Sequence, residues 1–79
     1  MKTILRSFES LDAKRRLEIY DHEDGFYSYE EVYEAAEDIP DYGLETYWGI
    51  SFVSGLFDTA EAAERDAKLC IPWLRSLPV

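Results

Sequence analysis

Apolar residues recur at helical spacing in residues 54–74, near the end of the chain. Asp58 followed by Glu61 has the spacing of a capping box at a helix start. Pro72 lacks a backbone donor and disfavours helical geometry at the residue before it. The apolar positions fall on one helix face, and they are Ala60, Ala63, Ala67, Cys70, Ile71 and Leu74. The pattern predicts an amphipathic helix from Asp58 to about Ile71 that packs on the rest of the domain.

Alternating apolar and polar residues, which indicate half-buried strands, occur in two earlier segments. The first, Leu17–Tyr20, is followed by the turn-forming residues Asp21–Gly25, which predicts a hairpin. The second is Glu45–Val53. It places three large apolar residues on one face, and these are Trp48, Ile50 and Phe52. We expect the helix to cover that face.

Three segments are compatible with more than one structure. In residues 1–11 the spacing of the apolar side chains predicts a short N-terminal helix, although alternation there also fits a strand. Residues 26–33 are predicted as a strand because they are aromatic and follow the hairpin turn. A capping-box spacing keeps a helix over residues 28–38 as the alternative. Residues 36–44 contain Pro40 and Gly43 among acidic residues and are predicted as a loop.

This order of elements predicts the α+β class, with residues 1–79 forming one domain. An antiparallel sheet of three strands, or four if the first segment is a strand, is backed by the C-terminal helix. The sheet face opposite the helix then collects four tyrosines, namely Tyr27, Tyr29, Tyr33 and Tyr47. Tyrosines are ordinary strand formers, and they are also enriched at protein interfaces. We predict that these four bind a protein partner.

Charge is distributed very unevenly along the chain, whose net charge is −9. The segment from Leu17 to Glu64 contains fourteen Asp and Glu residues and neither Lys nor Arg. Such a surface repels nucleic acid and anionic lipid, so direct binding to either is not expected. It attracts basic proteins, although acidic surfaces also serve solubility alone. A single cysteine, no signal peptide and no long apolar run predict a cytoplasmic protein.

Groups that could support catalysis or metal binding are few. His22 is the sole histidine and lies among acidic residues in the predicted turn, where exposure to water is the simplest expectation. Cys70 lies on the apolar helix face, so we expect a buried thiol without nucleophilic character. The acidic turn lacks the ligand spacing of a calcium loop. We therefore predict no catalytic residue, no metal site and no cofactor, with a small enzyme or metal binder centred on His22 as the least favoured hypothesis.

The segment SGLFDTAEAAERDAK resembles the strand, turn and helix at the end of short bacterial α+β domains of the YegP-like type. Its Phe57–Ala63 part is also similar to the G-D-T-x-E-E-A segment that opens the helix of HicB-type antitoxins. Leu17–Phe26 resembles the first hairpin of that family, whose proline- and glycine-containing consensus this chain lacks. The HicB resemblance implies a cytoplasmic antitoxin that neutralises a small basic toxin by direct binding.

The function predicted from these observations is that of an acidic, non-catalytic protein-interaction module, with homodimerisation as one form of that interaction. The alternative is an antitoxin-like inhibitor of a small basic protein. Both assign the binding surface to the acidic, tyrosine-rich middle of the chain.

Overall fold

The computed structural model describes residues 2–77. One layer is an antiparallel sheet with strand order β1-β2-β3-β4, and helices form the other layer. The strands are β1 (Thr3–Glu9), β2 (Arg15–Asp21), β3 (Tyr27–Ile39) and β4 (Gly43–Val53), and the helices are α1 (Ala60–Cys70) and α2 (Pro72–Arg75). The predicted α+β class, with an antiparallel sheet and a C-terminal helix, is confirmed. Within the described residues, neither helix combines the length and apolar character that crossing a bilayer requires.

The first segment forms the edge strand β1, and the short N-terminal helix that its apolar spacing predicts is absent from residues 2–11. β1 pairs antiparallel with β2, and a bulge at Leu5 interrupts the register between Ile4 and Arg6. A helix this short is marginal in water, whereas pairing with β2 satisfies the backbone groups of the segment. Residues 3–9 therefore follow the strand alternation, which the sequence analysis gave as the alternative to a helix.

β3 and β4 form a long hairpin. The strand predicted over residues 26–33 is confirmed, and β3 continues through residues 28–38 to Ile39. The loop predicted over residues 36–44 is wrong, because the turn occupies only residues 40–42. Tyr42 N donates to Ile39 O at 3.0 Å. Asp41 and Gly43 have φ of +73° and +85°. Pro40 and Gly43 thus mark the tip of a tight turn, which their chemistry favours.

The outer part of this hairpin extends past the end of β2. Arg15, the first residue of β2, pairs with Tyr33, so residues 34–48 form a two-stranded ribbon that we call the arm. The molecule is elongated as a result, with extents of 48 × 31 × 16 Å and a radius of gyration of 14.5 Å. A compact domain of 79 residues has a radius of gyration of about 12 Å.

A bulge in β4 reverses the alternation of its side chains between the two faces of the sheet. Glu31 pairs with Phe52 and Val32 pairs with Ile50, so Ser51 is the extra residue. Phe52 consequently lies on the helix side, where its ring centroid is 5.8 Å from that of Tyr29. Ile50 lies on the other side, together with Trp48. The expectation that Trp48, Ile50 and Phe52 share one helix-covered face is therefore wrong, because a bulge moves every side chain beyond it to the opposite face.

Helix α1 begins at Ala60, and its N-cap lies one residue later than predicted. Thr59, not Asp58, is the N-cap, and its Oγ1 accepts a hydrogen bond from Ala62 N at 3.0 Å. The helix ends at Cys70 with Ile71 as C-cap, as the proline indicates. It packs on β2 and β3 through a core cluster of Leu17, Ile19, Tyr29, Ala63, Ala67, Ile71 and Leu74. Cys70 is exposed, so its predicted burial is wrong: Ala63 and Ala67 carry the buried face, and the chain leaves the helix directly after Cys70.

Candidate functional site

The four tyrosines share one face of the sheet, but it is the face that α1 covers. Tyr27, Tyr29 and Tyr33 alternate along β3, and Tyr47 is opposite Ala35. Tyr29 is fully buried in the core cluster. The expectation that these tyrosines lie on the face away from the helix is therefore wrong. Sequence alternation identifies which side chains share a face, and it does not identify the face on which a later helix packs.

Tyr29 is the centre of the domain core. Its ring stacks on Phe57 at 6.0 Å between centroids, and its hydroxyl donates to Asp66 Oδ2 of α1 at 2.6 Å. Burial, and then the hydrogen bond to the Asp66 carboxylate, raise the pKa of Tyr29 far above its usual range. A buried hydroxyl held in this way stabilises the contact between sheet and helix, and it offers no surface to a partner.

The other three tyrosines differ in accessibility. Tyr27 is half-buried against the core cluster, and its backbone pairs with Phe57. Tyr33 is half-buried, and its ring lies over Gly49, where an added Cβ would come within 2.9 Å of the ring. Tyr47 lies on the arm and is half exposed. Of the four, Tyr47 is the side chain most open to a partner.

Glu31 is a buried carboxylate that connects three elements on the helix side. Its Oε2 accepts a hydrogen bond from Trp73 Nε1 of α2 at 2.6 Å, and its Oε1 accepts one from Ser51 Oγ at 2.6 Å. Arg15 Nη1 lies 3.6 Å from Oε2. The carboxylate therefore holds α2 and the β4 bulge against the sheet. Sequence analysis missed this role, because an acidic residue among strand aromatics resembles a solvent-facing position.

The sheet face away from the helices, which we call the open face, carries large apolar residues of β4. Leu44, Trp48 and Ile50 are exposed on it. Arg16 stacks on the Trp48 ring, with its guanidinium carbon 4.6 Å from the centroid. Further from the arm, Lys2 Nζ forms an ion pair with Glu30 at 2.7 Å and lies 4.4 Å from the centroid of the Tyr20 ring. The open face is thus polar near β1 and apolar along β4.

Charge on the arm has a single sign. Its charged residues are all carboxylates, and they are Glu34, Glu37, Asp38, Asp41 and Glu45. All five are exposed. Most of them lie on β3 or at the tip, and Glu45 is the only charged residue in β4. The arm therefore combines an acidic tip with an exposed strand that is nearly free of charge.

The groups considered for catalysis have structural partners. His22 Nε2 lies 2.7 Å from Ser28 Oγ, and Ser28 is buried. A serine beside a histidine is the geometry of an activated nucleophile, but a buried hydroxyl leaves no room for a substrate. In residues 2–77 no cluster of three or more His, Cys, Asp or Glu could hold a metal ion.

A surface depression of about 310 Å³ lies between the β1–β2 turn and α2. Asp12, which lines it, accepts hydrogen bonds from Ser10 Oγ and from Lys14 N. The bond from Ser10, and then that from Lys14, lower the pKa of Asp12. The carboxylate of this depression thus stabilises the turn, and the geometry does not direct it at a ligand.

We expect alkaline pH to destabilise the fold through two tyrosines. Burial, and then the hydrogen bond to Glu18, raise the pKa of Tyr20 from 10.0 to about 12, and the pKa of Tyr29 is also raised. A raised pKa means that the folded state holds the proton more tightly than the unfolded state. Stability is therefore retained below pH 10 and falls as the pH rises towards 12. Chemical denaturation across this range measures the slope, which Tyr20→Phe and Tyr29→Phe should each reduce. An unchanged slope in both variants would contradict the assignment.

The candidate site is therefore the exposed arm together with the open face of β4. Comparison of this chain with protein-family models, with curated proteins and with solved structures finds no match.

Proposed function

We propose that the protein is a non-catalytic protein-interaction module that associates with a second copy of itself through the arm and β4. The observation that carries the proposal is the exposure of β4. Ten of its eleven residues are exposed, and Gly49 is the exception. They include Leu44, Tyr47, Trp48, Ile50, Phe52 and Val53. A two-stranded ribbon with both faces in water is only marginally stable, so the arm gains stability when another surface covers it.

The exposed area of the chain supports a second copy as that surface. The accessible area is 5571 Å². A compact monomer of 9.2 kDa exposes about 4,900 Å². The difference, roughly 650 Å², is close to the ~800 Å² that each partner buries in a standard stable interface. The chain therefore exposes about as much additional surface as one side of a dimer would cover.

Ile50→Asp tests this surface. Ile50 is 61% exposed at the base of the arm, so an aspartate there leaves the monomer fold intact but places a charge in the interface. We expect light scattering to give twice the chain mass for the native protein and the single chain mass for Ile50→Asp. Leu69→Asp is the matched control, because Leu69 is 68% exposed on α1 and should leave the mass unchanged. A native protein that stays monomeric at high concentration would overturn self-association.

A second candidate function, the inhibition of a small basic protein, is favoured by the acidic tip of the arm. The salt dependence of binding distinguishes self-association from the inhibition of a basic protein. Two copies that each carry −9 repel one another, so screening strengthens a dimer. Binding to a basic protein weakens with salt instead. Measuring the dimer dissociation constant at low and high salt therefore tests the preferred function. A neighbouring gene that encodes a small basic protein would support the alternative.

A cytoplasmic location belongs to the same proposal. Cys70 is a free thiol on the surface, which suits a reducing compartment. The acidic surface and the absence of paired cysteines in the sequence are consistent with that location.

A further inference from the structure

We propose that the two copies join edge to edge, with β4 pairing antiparallel with β4 of the second copy in a register centred on Tyr47. The two four-stranded sheets then form one continuous sheet of eight strands. This inference rests on the proposed self-association and names its geometry. It identifies the backbone edge of β4 as the contact, with the side chains of the open face packing beside it.

The two edges of the sheet differ in how well they resist pairing. β1 has seven residues and a bulge at Leu5, and its charged Arg6 forms an ion pair with Glu64 at 2.9 Å. Bulges and charges are the devices by which natural sheets protect their edges. β4 has eleven residues, contains no proline and carries only one charge. Its regular part runs from Leu44 to Ile50, between Gly43 with positive φ and the bulged Ser51. β4 is the unprotected edge.

The backbone groups available for pairing follow from one hydrogen bond. Glu34 N donates to Lys14 O at 2.8 Å, so the backbone of Glu34 is directed at β2 and not at Trp48, its partner on β4. In an antiparallel pair the residues that exchange hydrogen bonds alternate. The N–H and C=O groups of Trp48 therefore point to the open edge. Those of Thr46, two residues away, do so as well, and Leu44 and Ile50 continue the series.

Symmetry selects the register. A two-fold axis perpendicular to an antiparallel pair places one residue opposite its own copy, and Tyr47 is the midpoint of residues 44–50. In this register Thr46 is opposite Trp48 of the second copy, and Leu44 is opposite Ile50 of the second copy. Both pairs lie on the open face, so the apolar side chains form one strip across the junction. All the regular residues of the edge are then paired.

Charge is compatible with the same register. Glu45 is the only charged residue of β4, and it lies opposite Gly49 of the second copy. Two carboxylates therefore never face each other across the junction, although each chain carries −9. The acidic residues of β3 and of the tip lie outside the paired segment.

The first variant removes one N–H group that points to the open edge of β4. Thr46→Pro deletes a donor at the open edge without removing a bond between β3 and β4, and an edge strand accepts proline at such a position. Thr46→Val is the matched control, because it keeps the donor and suits a strand. We expect light scattering to show a single-chain mass for Thr46→Pro and twice that mass for Thr46→Val and the native protein. Circular dichroism checks that each variant is folded.

A second experiment determines the register directly. It also decides the outcome if Thr46→Pro fails to fold. With Cys70 replaced by serine, Tyr47→Cys places two thiols at a non-hydrogen-bonded pair about 4.5 Å apart between Cα atoms, within disulfide range. On addition of oxidised glutathione, which accepts the two electrons by thiol–disulfide exchange, we expect rapid formation of a disulfide-linked dimer. Glu45→Cys is the control. The two thiols there lie four residues out of register, about 14 Å apart, and should not link.

The outcomes separate the two proposals. A native monomer overturns both the self-association and the strand pairing. A dimer that Ile50→Asp disrupts, but that persists in Thr46→Pro and does not link through Tyr47→Cys, preserves the proposed function and overturns the pairing of β4. Linking through Glu45→Cys and not through Tyr47→Cys overturns the register.

Discussion

Replacing Tyr29 by alanine should lower the free energy of unfolding by about 3–5 kcal/mol, the range found for truncating buried aromatic residues. The side chain is fully buried between the sheet and α1, and it contacts the rings of Phe52 and Phe57. The substitution also removes the hydroxyl that donates to Asp66. Urea denaturation followed by circular dichroism measures the effect. In so small a domain, a loss of this size removes most of the stability.

Two further variants test whether the loss depends on the burial of Tyr29 and how much of it comes from the hydroxyl. Tyr47→Ala changes a half-exposed tyrosine on the same sheet face and should alter the free energy of unfolding of the monomer by less than about 1 kcal/mol. Tyr29→Phe keeps the ring and should cost about 1–2 kcal/mol for the lost hydrogen bond to a carboxylate. Equal losses for Tyr29→Ala and Tyr47→Ala would contradict the burial of Tyr29.

Glu31→Ala should lower the free energy of unfolding by about 2–4 kcal/mol, because it removes a buried carboxylate that accepts two partly buried hydrogen bonds. Trp73 Nε1 and Ser51 Oγ both donate to this carboxylate at 2.6 Å. Its loss leaves the indole donor half-buried without its acceptor, and it frees α2 from the sheet. Urea denaturation gives the free energy, and tryptophan fluorescence reports whether the surroundings of Trp73 change.

Glu34→Ala is the matched control for this prediction, since Glu34 lies three residues further along β3 and is exposed. We expect a change within about 0.5 kcal/mol, as for ordinary surface substitutions. A loss as large for Glu34→Ala as for Glu31→Ala would show that the effect comes from strand propensity and not from the buried carboxylate.

The elements that local chemistry determines were predictable from the sequence. The helix is defined by its apolar period, by a small polar cap and by Pro72, so its bounds were in error by only one or two residues. The turn at Asp21–Gly25 and the strands on either side of it were also predictable. The strand over residues 28–38 was the harder choice. These residues form a strand because they pair with both β2 and β4. The capping-box pattern favours a helix there, but it is not supported by a surface on which that helix could pack.

The errors come from interactions between distant residues. Burial of Tyr29 depends on where α1 packs. The alternation of side chains along β3 does not show on which face that is. Pro40 and Gly43 predict a turn correctly, but they do not indicate that the flanking acidic residues continue as strands to its tip. Glu31 could be recognised as a buried acceptor only after Trp73, 42 residues away, was placed beside it. The candidate interaction surface therefore shifted from the tyrosine face to β4.

The bulge at Ser51 has a consequence for how this surface is inherited. Because Ile50 pairs with Val32 and Phe52 pairs with Glu31, loss of Ser51 would make these two pairs consecutive in a regular ladder. Ile50 and Phe52 would keep the faces that they occupy now, and so would the residues of the arm. The deletion would instead remove the hydroxyl that donates to Glu31. A single-codon deletion at this bulge would therefore cost the fold a hydrogen bond without exchanging the two sides of the arm.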